Sequence, residues 1–248
     1  MYKTKSATRK VLLNLYKKAG LQVMVSIARD LLASDVRGKV REECIAEFKT
    51  EMNGEVAEVV LEAEVQEYCK EHKEATKDWF WCKSLILDDP GGNTDFLTEL
   101  DFTLFTPECI YVFECKSYAG DKKLVGSGEL LRGVGNSCNV YKQNLLHVRT
   151  LNKHLKQFSK NPIYRMVMFN FSRGELEDER SDAAKFAMTC VDETTWESVI
   201  VNGAPVWNLK ALRPIIQQLK VKGDKHREKH LKYVKSIEHG GGSDGKSR

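Results

Sequence analysis

The sequence lacks the cysteine pattern of a zinc-binding or disulfide-bonded domain. It contains seven cysteines, an odd number, and no two of them are spaced as CxxC. Zinc ribbons use such closely spaced pairs, and the disulfide frameworks of small secreted domains use even numbers of cysteines. We therefore expect buried thiols in a reducing cytoplasm.

A long apolar run near the start is also missing. Residues 19–28 form the longest uncharged stretch there, whereas a membrane-spanning helix needs about 20 apolar residues. Before this stretch, Asn14, Lys17 and Lys18 interrupt the apolar pattern, which is unlike a signal peptide. We predict neither a signal peptide nor an association with a membrane.

Strong net charge is absent as well. The 248 residues carry a formal net charge of only +4, a basic excess that permits nucleic-acid binding without requiring it. Basic residues concentrate at the start and again from Lys220 to Lys235. The length suits one domain with appendages or two small domains. We predict a helical N-terminal extension over residues 1–48, a main domain over residues 49–222, and a basic, partly disordered tail over residues 223–248.

The sequence does not contain the zinc motif of a metalloprotease helix. His226 and His230 are four residues apart, but the segment reads HREKH rather than HExxH, so the general base of that motif is missing. We interpret the two histidines as part of a solvated basic face.

What the sequence does contain is a central stretch, residues 98–120, with charges inside apolar strands. The letters TELDFTLFTPECIYVFECKSYAG read as two strands joined by a turn. Asp101 lies in the first strand, and Glu114 and Lys116 lie in the second. Ionised groups in apolar strands are costly unless they pair or bind a metal. These three residues are therefore the first candidates for a functional site.

The geometry of this hairpin follows from its turn. Pro107 favours a turn over residues 106–109, which pairs Asp101 with Glu114 at about 5 Å. The two-residue period of a strand puts Lys116 on the same face as Glu114. Two carboxylates and an amine in one patch suit a divalent metal and a positioned water. A register shifted by one residue would turn Asp101 away, and an ion pair on an edge strand is the alternative interpretation.

Two predicted helices accompany the hairpin. The first, over residues 54–72, carries three acids on one face, which are Glu55, Glu58 and Glu62. The second, from Ser137 to Phe158, has an apolar stripe and a basic outer face that includes Lys142, Arg149 and Lys153. A strand over residues 164–171 and a closing helix over residues 207–219 complete an α/β pattern.

Three segments form a combination that resembles a known family. The first helix reads GEVAEVVL from Gly54 to Leu61, and the hairpin reads ELD from Glu99 to Asp101 and IYVFECKSYAG from Ile110 to Gly120. Gln143 stands near the start of a helix that precedes an apolar strand. Over roughly residues 50–220, the sequence resembles the nuclease-related domain (NERD) family of the PD-(D/E)XK nuclease superfamily. It departs from the family pattern at Ala57, Cys109 and Cys115, and none of these departures removes a charged group.

The resemblance implies a fold and an activity. The fold would be a restriction-endonuclease-like α/β core, in which helices flank a central mixed β-sheet. The activity would be that of a metal-dependent (endo)deoxyribonuclease that uses Mg²⁺ or Mn²⁺ and acts on DNA. Magnesium usually takes one or two protein carboxylates together with waters and phosphate oxygens.

The resemblance also implies roles for individual residues. Asp101 and Glu114 would be metal ligands, with the backbone carbonyl of Cys115 as a third. Lys116 would orient the attacking water and stabilise charge on the phosphate. Gln143 would position the backbone or Lys116.

Among the three acids of the first helix, the resemblance favours Glu58. Counted from Glu58, Leu61 and Val65 fall on the expected apolar positions, whereas the count from Glu55 places acids there. Glu58 would then support the metal site through a water or at a second metal.

Two other functions stay open at this point. The same fold could serve as a catalytically weak or inactive nucleic-acid-binding or regulatory module, with Lys142, Arg149 and Lys153 contacting phosphates. Alternatively, the basic helices could bind a protein partner. Phosphate binding should weaken steeply with salt, and binding to a protein partner should not.

Overall fold

A computed structural model describes residues 57–90, 97–118, 120–132, 136–171 and 175–240, with side chains as far as His230. The extension predicted over residues 1–48 and the end of the predicted tail lie outside these ranges. Within the described part, no helix is long and apolar enough to cross a membrane.

Nine described strands form two sheets. The larger sheet has five strands in the order β1-β2-β3-β7-β9, and the smaller has four in the order β6-β5-β4-β8. Strands β1 and β2 are antiparallel, whereas β7 and β9 are parallel, so the larger sheet is mixed. The strands are β1 Phe80–Asp88, β2 Leu97–Phe105, β3 Ile110–Lys116, β4 Lys122–Val125, β5 Glu129–Arg132, β6 Asn136–Asn139, β7 Tyr164–Asn170, β8 Leu176–Asp178 and β9 Thr189–Val191.

Helices accompany the strands along the chain. They are α1 over residues 57–71, α2 Lys73–Thr76, α3 Val140–Leu155, α4 Asp182–Ala187 and α5 Leu209–Gly240, with 3₁₀ turns at Lys156–Phe158 and Trp196–Val199. The chain has a mixed α/β fold with a central mixed sheet flanked by helices, which confirms the coarse fold prediction.

The chain divides into two compact units, neither of them continuous in sequence. Of the described residues, the first unit takes 57–77, 113–143 and 166–200, and the second takes 78–112, 144–165 and 201–240. The first contains a small apolar cluster formed by Leu124, Leu130, Val140, Met168 and Met188. The second contains a larger one, which includes Leu87, Leu100, Phe105, Val112, Leu151, Trp207 and Leu212. The predicted domain boundaries stay predictions.

The predicted turn between β2 and β3 is present. The Thr106 N–H donates to the Cys109 carbonyl at 3.0 Å, and the Cys109 N–H donates to the Thr106 hydroxyl at 3.1 Å. These bonds close a two-residue connection through Pro107 and Glu108. The hairpin therefore turns at the residues that the proline indicated.

Two helix boundaries differ from the prediction. The helix expected from Ser137 begins at Val140, because residues 136–139 pair with β5 as strand β6. The Asn139 side chain then accepts a hydrogen bond from the Lys142 N–H at 2.8 Å, which is N-terminal capping. The closing helix runs to Gly240 rather than ending at Leu219, so the first part of the predicted tail is helical.

Candidate active site

Glu114 and Lys116 form a buried ion pair on β3. They are two residues apart, so they share one face of the strand, and the Lys116 ammonium donates to Glu114 Oε1 at 2.5 Å. The Glu114 side chain is only 1% exposed, and the Lys116 side chain is 10% exposed. Every residue of β3 is buried. An ion pair in this position carries a large desolvation cost, which its mutual attraction must offset.

Gln143 is the second described partner of the lysine. It lies in the first turn of α3, which Asn139 caps, and its Oε1 accepts a hydrogen bond from Lys116 Nζ at 3.5 Å. This contact is at the long end for a hydrogen bond and is weaker than the contact to Glu114. The structure thus brings together three of the predicted site residues, Glu114, Lys116 and Gln143.

Glu58 lies on the buried side of α1. It is 8% exposed, and the apolar residues Leu61 and Val65, three and seven positions later, are completely buried. Glu62, one turn further along the same face, is also 8% exposed. The first helix therefore buries two of its acids. Whether Glu58 approaches the hairpin stays a prediction.

Asp101 lies in the middle of β2, in the second unit, and is half-buried. Its register with β1 is well defined, because Lys83 pairs with Phe102 and Leu85 pairs with Leu100. Asp101 is therefore across from Ser84. The predicted opposition of Asp101 and Glu114 stays a prediction.

One protein family matches this part of the chain. The family model described as the nuclease-related domain, NERD, matches residues 55–170, just under half of the sequence. Residues 55–170 are therefore similar to the nuclease-related domain. All of the predicted site residues fall inside this segment, and the resemblance to the NERD family is confirmed over residues 55–170. Comparisons with curated proteins and with solved structures gave no match.

The predicted ligands are of a chemical type that suits a hard cation. Glu58, Asp101 and Glu114 would supply carboxylate oxygens, and Cys115 would supply a backbone carbonyl, which are the ligand types that Mg²⁺ prefers. Among the described residues, no group of three or more His, Cys, Asp or Glu side chains is arranged to hold a metal. One or two carboxylates are sufficient for Mg²⁺, because it keeps several waters and substrate oxygens as ligands.

The predicted phosphate contacts all lie on α3, within the segment that matches the NERD family. Lys142, Arg149 and Lys153 are exposed and are seven and four residues apart, which places them along one side of the helix. Lys153 also binds the Asp89 carboxylate at 2.9 and 3.0 Å. A phosphate approaching Lys153 would therefore compete with Asp89.

Sequence reasoning missed Lys122, which fixes the segment that follows the buried ion pair. Its side chain is buried, and its ammonium donates to the carbonyls of Tyr118 and Gly120 at 2.9 and 2.5 Å. Burial lowers the pKa of Lys122, although the charge of Asp121 opposes this effect. The strand period could have identified this lysine, because Lys122 alternates with an exposed residue and shares a face with buried Leu124.

Two further contacts restrain the end of β3 and the residue Tyr118 that follows it. The Phe171 N–H donates to the Lys116 carbonyl at 2.8 Å. The Arg132 guanidinium lies over the Tyr118 ring at 3.7 Å, a cation–π contact. A backbone contact and a side-chain contact thus restrain the end of β3 and the residues that follow it.

Proposed function

We propose that this nuclease-related domain is a metal-dependent nuclease that hydrolyses phosphodiester bonds in DNA on a PD-(D/E)XK core. The observation that carries the proposal is the buried Glu114–Lys116 pair, joined by Gln143 and lying inside the segment that matches the NERD family.

The burial of this pair supports a chemical role. Replacing a buried ion pair by apolar residues of similar volume is often neutral or stabilising, so stability alone does not require these charges. A carboxylate and an ammonium held 2.5 Å apart in a strand that is buried throughout do suit catalysis, because low-dielectric surroundings strengthen their action on a reacting phosphate.

We assign the cation to oxygen ligands of this chain. Asp101 and Glu114 would be the main ligands, with the Cys115 carbonyl as a third and Glu58 acting through a water or at a second ion. A bound Mg²⁺ or Mn²⁺ supplies Lewis-acid chemistry, which polarises the phosphoryl oxygen and lowers the pKa of the attacking water.

Lys116 and Gln143 have the orienting roles. The Lys116 ammonium, a compact point charge with three donors, would orient the water and stabilise the charge that develops on the phosphate. The Gln143 amide oxygen already accepts a hydrogen bond from this ammonium and would limit its direction. Lys142, Arg149 and Lys153 would bind flanking phosphates, so affinity for DNA should fall steeply with salt.

We also propose a reducing compartment, the cytoplasm, for this activity. None of the six described cysteines forms a disulfide. Burial raises the pKa of Cys109 to about 12, and a protonated thiol reacts slowly. Such thiols are typical of a cytoplasmic protein.

The test combines substrates, metals and one ligand variant. Purified protein is incubated with supercoiled plasmid and with linear single-stranded DNA, in Mg²⁺, Mn²⁺ or EDTA, beside Asp101→Asn. We expect cleavage that requires the metal and is lost in the variant. Glu129→Gln is the control, because it removes an exposed carboxylate of β5 and should leave cleavage unchanged.

Binding without cleavage would favour the alternative function. If wild-type protein and Asp101→Asn both retain DNA in a salt-sensitive manner and neither cuts it with any metal, the chain is a nucleic-acid-binding module and the nuclease proposal is wrong.

A further inference from the structure

Helix α5 lies outside the segment that matches the NERD family, yet it packs directly on β1. The closest approach is at Gly223, where a Cβ atom would lie 2.3 Å from the Ile86 carbonyl oxygen and 3.2 Å from the Ile86 Cβ. No side chain fits at such distances. Gly223 therefore allows the backbone of the helix to rest against the backbone of the strand.

Two basic side chains on either side of this contact bind the carbonyls of β1. Lys220 Nζ donates to the carbonyls of Lys83 and Ser84 at 2.8 and 2.9 Å. Arg227 Nη2 donates to the same Ser84 carbonyl at 3.3 Å. Lys220 and Arg227 are seven residues apart, two helical turns, so both face the strand.

Ser84 has an unusual backbone conformation. Its φ is +48°, and no other non-glycine residue in the described ranges has a positive φ. This left-handed conformation costs about 1–3 kcal/mol for a residue with a side chain, so neighbouring contacts must maintain it. The two hydrogen bonds from Lys220 and Arg227 to its carbonyl are contacts of that kind.

The strand β2 is held by the same helix. Arg227 Nη1 lies 3.3 Å from Glu99 Oε1, and His230 Nε2 lies 3.3 Å from Glu99 Oε2. His230 is therefore a buried partner of Glu99, and the solvated face predicted for it from the sequence is wrong. Its partner is 131 residues away in sequence, which explains why a local pattern did not reveal the contact.

Asp101 lies between these restrained points. Ser84 is across from it in β1, and Glu99 precedes it by two positions in β2, hence on the same face of the strand. Arg227 is the residue that contacts both, one nitrogen donating to the Ser84 carbonyl and another to the Glu99 carboxylate.

We propose that α5 is a positioning element for Asp101, in which Lys220, Arg227 and His230 fix the β1–β2 backbone around that carboxylate. The inference rests on the proposed function, since it assigns Asp101 as a metal ligand. The physical reason is that a metal ligand stays correctly oriented only when the surrounding groups are themselves fixed. Loss of such surrounding contacts typically weakens metal affinity by about 10–100-fold.

The principal test variant is Arg227→Met, compared with Arg227→Lys and with Lys225→Met. Lys225 is exposed on the same helix, so its replacement removes the same charge without removing these contacts. Arg227→Lys keeps the charge but not the fork that reaches two acceptors. Gly223→Ala is a second route, because the added methyl group must move the helix away from Ile86.

Three readouts are compared in these proteins. They are the Kd for Mn²⁺ by calorimetry, the kcat and KM for DNA cleavage, and hydrogen exchange of the amides of residues 99–102 without metal. We expect Arg227→Met to raise the Kd for Mn²⁺ about 10-fold, to lower kcat with little change in KM, and to accelerate the exchange. Gly223→Ala should act in the same direction, Arg227→Lys should recover part of the loss, and Lys225→Met should match the wild type.

The outcomes separate this inference from the proposed function. If the wild type cuts DNA and binds Mn²⁺ but Arg227→Met and Gly223→Ala behave as the wild type in all three readouts, α5 does not position Asp101. A variant that only melts at a lower temperature, with unchanged Kd and kcat, also overturns the inference. A wild type that neither cuts DNA nor binds Mn²⁺ overturns both.

Discussion

Two carboxylates of this protein, Glu114 on β3 and Glu99 on β2, are each bound by basic side chains, but in different ways. Glu114 is 1% exposed, and its partner Lys116 is two residues away on the same strand. Glu99 is 25% exposed, and its partners Arg227 and His230 belong to α5, more than a hundred residues later. The first pair is a property of one strand, whereas the second exists only when a distant helix has docked.

The difference in burial also changes the electrostatics. Burial raises the pKa of Glu99, but the hydrogen bond from His230 and the charge of Arg227 outweigh it, so the pKa is lowered on balance. Glu99 therefore stabilises the folded state when it is ionised. Glu114 is almost completely buried, so its charge depends strongly on the nearby Lys116 ammonium.

The largest expected loss of stability comes from removing the ammonium of the buried Glu114–Lys116 pair. Lys116→Met should lower the free energy of unfolding by about 3–5 kcal/mol, because it leaves Glu114 charged and buried without its ammonium. Urea unfolding followed by circular dichroism measures this. The double variant Glu114→Gln/Lys116→Met should recover part of the loss, and a double variant no more stable than Lys116→Met would contradict the account.

A smaller loss of stability is expected when Glu99 is replaced. Glu99→Gln keeps the shape of the side chain but removes its charge, which should lower the free energy of unfolding by about 1.5 kcal/mol, as for a hydrogen bond to a charged group. A double-mutant cycle with Arg227→Met measures the coupling directly. Additive effects of the two substitutions would show that this contact contributes nothing.

The pH dependence of the Glu99 contribution has a definite sign. Because the folded-state pKa of Glu99 is lowered from its ordinary value of 4.5, its contribution is present above that value and is lost as the pH falls through the folded-state pKa. The difference in stability between wild type and Glu99→Gln should shrink on acidification below about pH 4.5. A difference that grows on acidification would mean that the sign is wrong.

The smallest loss of stability is expected when an exposed ion pair in the first unit is broken. Lys123 binds Glu177 at 2.8 Å, but the side chains are 52% and 60% exposed. Ion pairs in water contribute little, so Glu177→Gln should leave the urea midpoint unchanged. A clear loss of stability would show that exposure does not rank the ion pairs of this protein.

The features that the sequence predicted correctly are local, and the features that it missed depend on contacts between residues far apart in the chain. The turn at Pro107 and the shared face of Glu114 and Lys116 depend on neighbours in sequence, and both were predicted. Ser84 in its left-handed conformation and the contacts of α5 depend on residues 128 or more positions apart, and no local pattern indicated them.

The candidate site shows this division as well. Glu58 is buried, but its choice among the three acids of the helix rested on the family resemblance, and Glu62 is equally buried. The Gln143 contact with Lys116 spans 27 positions and was anticipated only through the family resemblance. The start of α3 was misplaced because residues 137–139 pair with β5 as a strand, and this pairing depends on a partner strand that the local sequence does not reveal.

The most direct test of the central claim is the rate of plasmid cleavage by Glu114→Gln in Mg²⁺, with Glu129→Gln as the matched control and circular dichroism to verify folding. The account predicts a loss of about 100-fold or more in Glu114→Gln, no loss in Glu129→Gln, and no cleavage by any of the proteins in EDTA. A folded Glu114→Gln protein that cuts DNA at the wild-type rate would contradict the assignment of the β3 ion pair as the active site.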